Sequence, residues 1–166
     1  VFLNRDFYRQ YDGTVLNNLV SIGVHEISHQ WWYGIVGNDQ ALEPWLDEAL
    51  AVYSECIYYE DNYPGYVNSW WAFRVNNFSP TGWVDVNIYN AGGFRHYTDA
   101  VYLRGARFVG TIRSRVGDDV FFAFLWDYAA QMSGRRATAH DFFAILRQHS
   151  AADFSDIVGG YFQFPH

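Results

Sequence analysis

The 166-residue chain contains no lysine, so all eleven of its Lys/Arg cations are arginine. It has a single cysteine, Cys56, which excludes an intrachain disulfide framework and a cysteine-based metal cluster. No apolar run approaches the ~18 residues of a membrane-spanning helix, so no span is expected. Positive charge is scarce as well: eleven cations against eighteen acidic residues leave a net charge of −7. An acidic domain has no counterion-release drive toward phosphate, which argues against nucleic acid as a partner. Charged residues make up only 17% of the chain, whereas 50% is hydrophobic and 20% aromatic, and this rules out a disordered polymer. The length suits one domain with a real core. Residue 1 is Val rather than Met and no signal-peptide pattern follows it, so the chain reads as a piece of a longer protein.

Along the chain the apolar spacing is mostly helical. Val1 to Tyr8 alternates loosely and holds β-prone Val, Phe and Tyr, so a short N-terminal strand is expected. Thr14 follows the turn Tyr11-Asp12-Gly13 and caps an expected helix from about Val15 to Trp32. Gly34 to Glu43 reads as a loop, and Pro44 opens a second helix to about Glu60. A short third helix covers Tyr66 to Val75, followed by an irregular stretch from Ser79 to Gly93. Helical spacing returns from Thr98 to Val116, and Asp118 opens another helix toward Met132. Thr138 and Asp141 form a capping box for a helix ending near His149, and a last helical turn or two follows Asp153. The fold class is mainly α, with about six helices and at most a short N-terminal strand.

The chemistry concentrates in His25-Glu26-Ile27-Ser28-His29, an H-E-x-x-H motif inside the first long helix. Residues four apart share one helical face, so two imidazoles there can converge on a metal ion with Glu26 beside them. A catalytic zinc ion takes three protein ligands of nitrogen or oxygen type and keeps one position for water. Glu48, on the next helix with eighteen residues between it and His29, is the candidate third ligand. The alternative of a third histidine needs Gly and His three and six residues after His29, where Trp32 and Ile35 stand.

These residues resemble the gluzincin zinc aminopeptidases. In that family H-E-x-x-H is followed by Gln-Trp and, after eighteen residues, by a Glu within W-L-N-E-G-F-A. Here the segments are His25-Glu26-Ile27-Ser28-His29-Gln30-Trp31-Trp32 and Trp45-Leu46-Asp47-Glu48-Ala49-Leu50-Ala51. Asp47 stands for the usual Asn, Ala49 for Gly, and Tyr33-Gly34 for Gly-Asn. The resemblance implies the helical part of a thermolysin-like zincin catalytic domain. One zinc ion would be held by His25, His29 and Glu48, with Glu26 as general base. Downstream, Val101-Tyr102-Leu103-Arg104-Gly105 resembles the family's V-Y-x-K-G segment, which implies that Tyr102 hydrogen-bonds the reaction's oxyanion. The organisation implied is a single partial catalytic domain, with the zinc site on residues 15–60 and the tyrosine helix and helical tail on 98–166. The activity implied is zinc-dependent peptide hydrolysis, aminopeptidase in the intact protein; the alternative is a non-catalytic scaffold or binding module of the same shape.

The family's amine-gripping Gly-x-Met-Glu-Asn element is not found before His25. The resemblance therefore implies an isolated chain that hydrolyses peptides poorly and self-associates through apolar surface. Glu55, two turns after Glu48, suits a hydrogen bond to a ligand histidine as well as it suits a solvated helix face. His96, His140, His149 and His166 lack ligand spacing and read as surface or capping residues. Tyr97 reads equally as structural or catalytic, and Trp31, Trp32, Trp45, Trp70 and Trp71 read as aromatic core before pocket lining.

Overall fold

A computed structural model of the chain describes residues 2–164. Val1 and His166 lie outside that range, and with them the start of the expected strand and the surface reading of His166.

The structure is mainly α. The N-terminal strand is not formed among the described residues: Arg5–Arg9 is a short helix, α1. Its cause is local, because the Asn4 side chain accepts the amide of Asp6 and satisfies a helix-start donor that a strand would leave elsewhere. The first long helix, α2, spans Asn18–Ser28, shorter at both ends than the pattern suggests. Asn17, not Thr14, caps it by accepting from Val20, while Thr14 turns back onto Asp12. At the other end the Ser28 hydroxyl donates to the His25 carbonyl, and the amides of Gln30 and Trp31 reach carbonyls only three residues back. The tightened turn ends the helix at the second histidine. Tyr33 then sits at φ 109°, a conformation that favours glycine.

The loop after α2 contains strand β1 (Val36–Gly37), which pairs in parallel with β2 (Arg135–Arg136). Helix α3 (Trp45–Asn62) follows and forms the axis of the molecule. It is buried on most of its circumference, with Trp45, Leu46, Ala49, Leu50, Val52, Tyr53, Cys56 and Tyr59 all inside. A helix apolar nearly all round needs neighbours on every side. Helix α2 covers one flank. A continuous helical run from 64 to 78 covers a second, made of a 3-10 turn (Pro64–Tyr66), α4 (Val67–Trp70), a π turn (Trp71–Val75) and another 3-10 turn (Asn76–Phe78).

The third flank is the run from Phe94 to Val116, in which α5 (Phe94–Tyr97) passes through a π segment (Thr98–Arg104) into α6 (Gly105–Val116). Helices α7 (Asp118–Gln131), α8 (Ala139–His149) and α9 (Ser155–Tyr161) complete the fold. The capping box at Thr138 and Asp141 is present. These helices close an aromatic core on the N-terminal end of α3, where the Trp45 ring lies 5.1 Å from Phe142 and from Phe162. No helix among the described residues is long and apolar enough to cross a membrane.

Candidate metal centre

The crossing of α2 and α3 brings three side chains to one point. His25 lies on the inner face of α2, 5% exposed. His29 occupies the C-cap of the same helix, and Glu48 stands in the first turn of α3. The Nε2 of His25 is 3.1 Å from Glu48 Oε2 and 3.1 Å from His29 Nε2, and His29 Nε2 is 3.4 Å from Glu48 Oε2. Three corners of a tetrahedron whose centre lies ~2.0–2.1 Å from each stand about 3.3–3.4 Å apart, so the triangle fits a zinc-sized ion. The histidine rings meet edge to face at 88°, with their centres 4.7 Å apart.

Both imidazoles are held from behind. His29 Nδ1 donates to the Trp32 carbonyl at 2.9 Å, made available by the turn that ends α2. His25 Nδ1 faces Glu55 Oε1 at 3.4 Å. A proton on each Nδ1 leaves each Nε2 as the ligating atom. Glu55 is itself wholly buried and is held by Arg74 and Trp70.

The electrostatics follow from this packing. Burial works against the His25 imidazolium, but the carboxylates of Glu48 and Glu55 overcome it and push its pKa up to about 9. His29 is also raised, because Glu48 and the Trp32 carbonyl outweigh burial and the opposing His25 charge. Glu48 moves the other way: burial would raise it, yet hydrogen bonds from both histidines hold it well below the carboxylate range. Without a metal ion, the cluster therefore binds protons where a cation would sit.

The other site candidates fall around this triangle. Tyr102, half-buried on the π segment, stacks on His25 with ring centres 5.9 Å apart and planes at 12°. Burial and the hydrogen-bonded Glu48 carboxylate raise its phenol far above the ordinary tyrosine value. Tyr97 packs edge-on against Tyr102 at 5.6 Å. Glu26 is half-buried on α2, and its Oε2 accepts the Phe2 amide at 2.9 Å. Asp47, next to the candidate ligand, is buried and accepts from Asn38 Nδ2 and Gln40 Nε2, which ties the preceding loop to α3.

Trp45 and Trp70 are core residues, whereas Trp31 is half exposed. His96 and His140 are exposed, and His149 pairs with Asp127 at 3.0 Å, remote in sequence from the centre. Sequence reasoning missed Arg74 and the indole of Trp70 as partners of Glu55. Helical spacing predicts neither, because both come from a different element.

Two histidines four residues apart at the end of one helix, meeting a carboxylate from the following helix, could together hold a metal ion, and they are the donor types a zincin-type metallopeptidase domain uses. Residues 9–161 match the family model described as the Peptidase family M1 domain, and the chain belongs to that family. It is 23% identical over 150 residues to Aminopeptidase M1-C of Oryza sativa subsp. japonica, covering 85% of this chain and 17% of that protein. Against Aminopeptidase M1 of Arabidopsis thaliana the identity is 21% over 152 residues, covering 86% of this chain and 17% of that one. The fold is shared with an M1 zinc metallopeptidase from Deinococcus radiodurans (TM-score 0.70, 22% identity, 90% of this chain and 34% of that one). It is shared equally with a mutant of the Deinococcus enzyme bound to a Tyr-Ser-Ala substrate (TM-score 0.71, 20% identity, 92% of this chain and 35% of that one). The chain thus spans about a sixth of these curated relatives and about a third of the solved chains.

Proposed function

We propose that this chain carries the zinc centre of a peptidase that acts, in the whole protein, as an aminopeptidase. The observation that carries this reading is the triangle of His25 Nε2, His29 Nε2 and Glu48 Oε2, closed to 3.1–3.4 Å by two crossing helices. Family membership and the names of the relatives support it. The chain acts as one partial catalytic domain, with the ligands on residues 15–60 and the tyrosine on the segment 98–166.

When bound, zinc supplies Lewis-acid polarisation of the scissile carbonyl and acidifies a water. The remaining work falls to side chains. Glu26, adjacent in sequence to the first ligand, takes the water's proton and returns it to the leaving amine. Tyr102 stays a phenol at neutral pH, because burial and Glu48 disfavour its anion, and so keeps a proton to donate. Donated to the developing oxyanion, that hydrogen bond is commonly worth about 10²–10³ in rate. Exposed Ile27, Trp31, Tyr33 and Ile35 on and after α2 support self-association of the isolated chain.

Metal analysis of folded protein purified without chelators tests the centre. One zinc per chain is expected, lost in His29→Ala and kept in His149→Ala. In the intact protein, Glu26→Gln is expected to retain zinc and lose turnover on aminoacyl substrates, and Tyr102→Phe to lower kcat by about a hundredfold with zinc intact. A folded chain that takes up no zinc would sink the reading. Undiminished turnover in Glu26→Gln would remove the role given to that residue.

A further inference from the structure

Behind the centre lies a fully buried carboxylate, two of whose partners, Arg74 and Trp70, have no part in the chemistry above. Glu55 is 0% exposed. The Arg74 guanidinium forks onto it, with Nε 2.8 Å from Oε2 and Nη2 2.9 Å from Oε1, and the Trp70 indole N–H donates to Oε2 at 3.2 Å. Glu55 Oε1 lies 3.4 Å from His25 Nδ1, a buried nitrogen that has no hydrogen-bond partner among the described residues.

An uncompensated carboxylate in this position would be strongly penalised, and a compensated one need not point anywhere in particular. The bidentate fork removes that freedom. Two parallel N–H donors fix the plane of the carboxylate, and the indole fixes its tilt, in a way a lysine point charge does not. The carboxylate in turn lies 3.4 Å from His25 Nδ1, an approach that is not aligned as a hydrogen bond but is close enough to favour a proton on that nitrogen over Nε2.

We propose that Arg74, assisted by Trp70, is a positioning residue of the metal centre: through Glu55 it holds His25 with Nε2 free toward Glu48 and His29. This rests on the reading of those three residues as a zinc site. The wide π turn at Trp71–Val75 carries Arg74, directly after the helix that carries Trp70, so one short run supplies both donors.

The test measures zinc affinity in the full chain by competition with a chromogenic chelator, with folding checked by circular dichroism. Alongside it, exchange of the His25 Nδ1 proton with solvent is followed by NMR in the zinc-loaded protein. Arg74→Lys keeps a cation but loses the fork, and it is expected to weaken zinc binding about tenfold or more and to speed exchange of that proton. Arg74→Met/Glu55→Gln removes the buried charge together with its counter-ion. It is expected to stay folded and still bind zinc about tenfold or more weakly. It also stands in should Arg74→Lys fail to fold. A merely structural ion pair would lower the melting temperature of Arg74→Lys and leave both zinc readouts unchanged, which overturns the proposal. Wild-type protein that takes up no zinc refutes the site reading, and this inference with it. Wild-type uptake with unaltered affinity in both variants refutes the inference alone.

Discussion

Gly105 stands where the helix bearing Tyr102 crosses the helix bearing Glu48, and its replacement by alanine tests how tightly that crossing sets the site. A Cβ built at Gly105 falls 2.6 Å from the Ala49 methyl and 3.4 Å from the Ala49 Cα. Carbon atoms in favourable contact stand ~3.5–4.0 Å apart, so the two helices must part by about 1 Å. Overpacking of this kind costs about 1–3 kcal/mol. Ala49 directly follows the candidate ligand Glu48, and Tyr102 lies one turn before Gly105. The same shift therefore moves the phenol relative to the carboxylate it hydrogen-bonds. A misplacement of ~1 Å at a reacting centre can cost about a hundredfold in rate. Gly105→Ala is accordingly expected to unfold at lower urea concentration, to keep one zinc per chain, and to lose most turnover. Adding Ala49→Gly removes the opposing methyl and should restore both stability and turnover, since one helical glycine has only changed places with one alanine. The assay is paired urea melts of this chain and aminoacyl-substrate kinetics of the intact protein, on wild type, both single variants and the double. A double variant no better than Gly105→Ala would refute the reasoning, as would a single variant indistinguishable from wild type.

Two further outcomes are expected. In the metal-free protein the carboxylates hold a proton on His25 up to about pH 9, so zinc must displace at least one proton at pH 7. Apparent affinity should therefore rise about tenfold per pH unit from neutrality and level off above about pH 9, with proton release visible by calorimetry in buffers of different ionisation enthalpy; a pH-independent affinity would exclude this account. Tyr33 holds a side chain at φ 109° while half exposed, a conformation costing about 1–3 kcal/mol against about 0.5–1 kcal/mol of extra chain entropy for glycine. Tyr33→Gly should raise stability by about 1 kcal/mol and Tyr33→Ala should not, as read from urea melts; a destabilised Tyr33→Gly would show that the phenol's contacts outweigh the strain.

What the sequence disclosed and what it withheld divide along physical range. The capping box at Thr138, the stop at Gly117 and the length of α3 rest on residues within a turn of one another, and they were legible. So was the convergence of His25 and His29, because an i,i+4 pair on a helix is a local fact; the place of Glu48 needed the family spacing as well. Among the described residues the strand expected near the N-terminus gave way to a still more local signal, the Asn4 cap, which outweighs the β preference of Phe and Tyr. The early end of α2 was not legible. It depends on the Ser28 hydroxyl turning back and on a pairing of Val36 with Arg135, a hundred positions away. Arg74 was one arginine among eleven, and only the folded chain singles it out by laying it on Glu55.

The wide turn between Thr98 and Arg104 also sets the angular bookkeeping of the helix that carries Tyr102. On a regular α-helix two residues five apart point about 140° away from each other. Tyr97 and Tyr102 nevertheless meet at 5.6 Å, because a π turn returns to the same face after five residues. In genetic terms the segment behaves as a place where one residue has been gained without turning the faces on either side of it. Losing one codon between 98 and 104 would leave composition and hydrophobicity almost unchanged. Taken from between Tyr97 and Tyr102, it would leave the two residues four apart, and a regular α-helix turns about 400° over four residues, so the wide turn would close to an α turn with both rings still on one face. At this point in the chain a one-residue deletion is absorbed by a change of helix type, which a deletion within the regular helices α3 or α6 would not be.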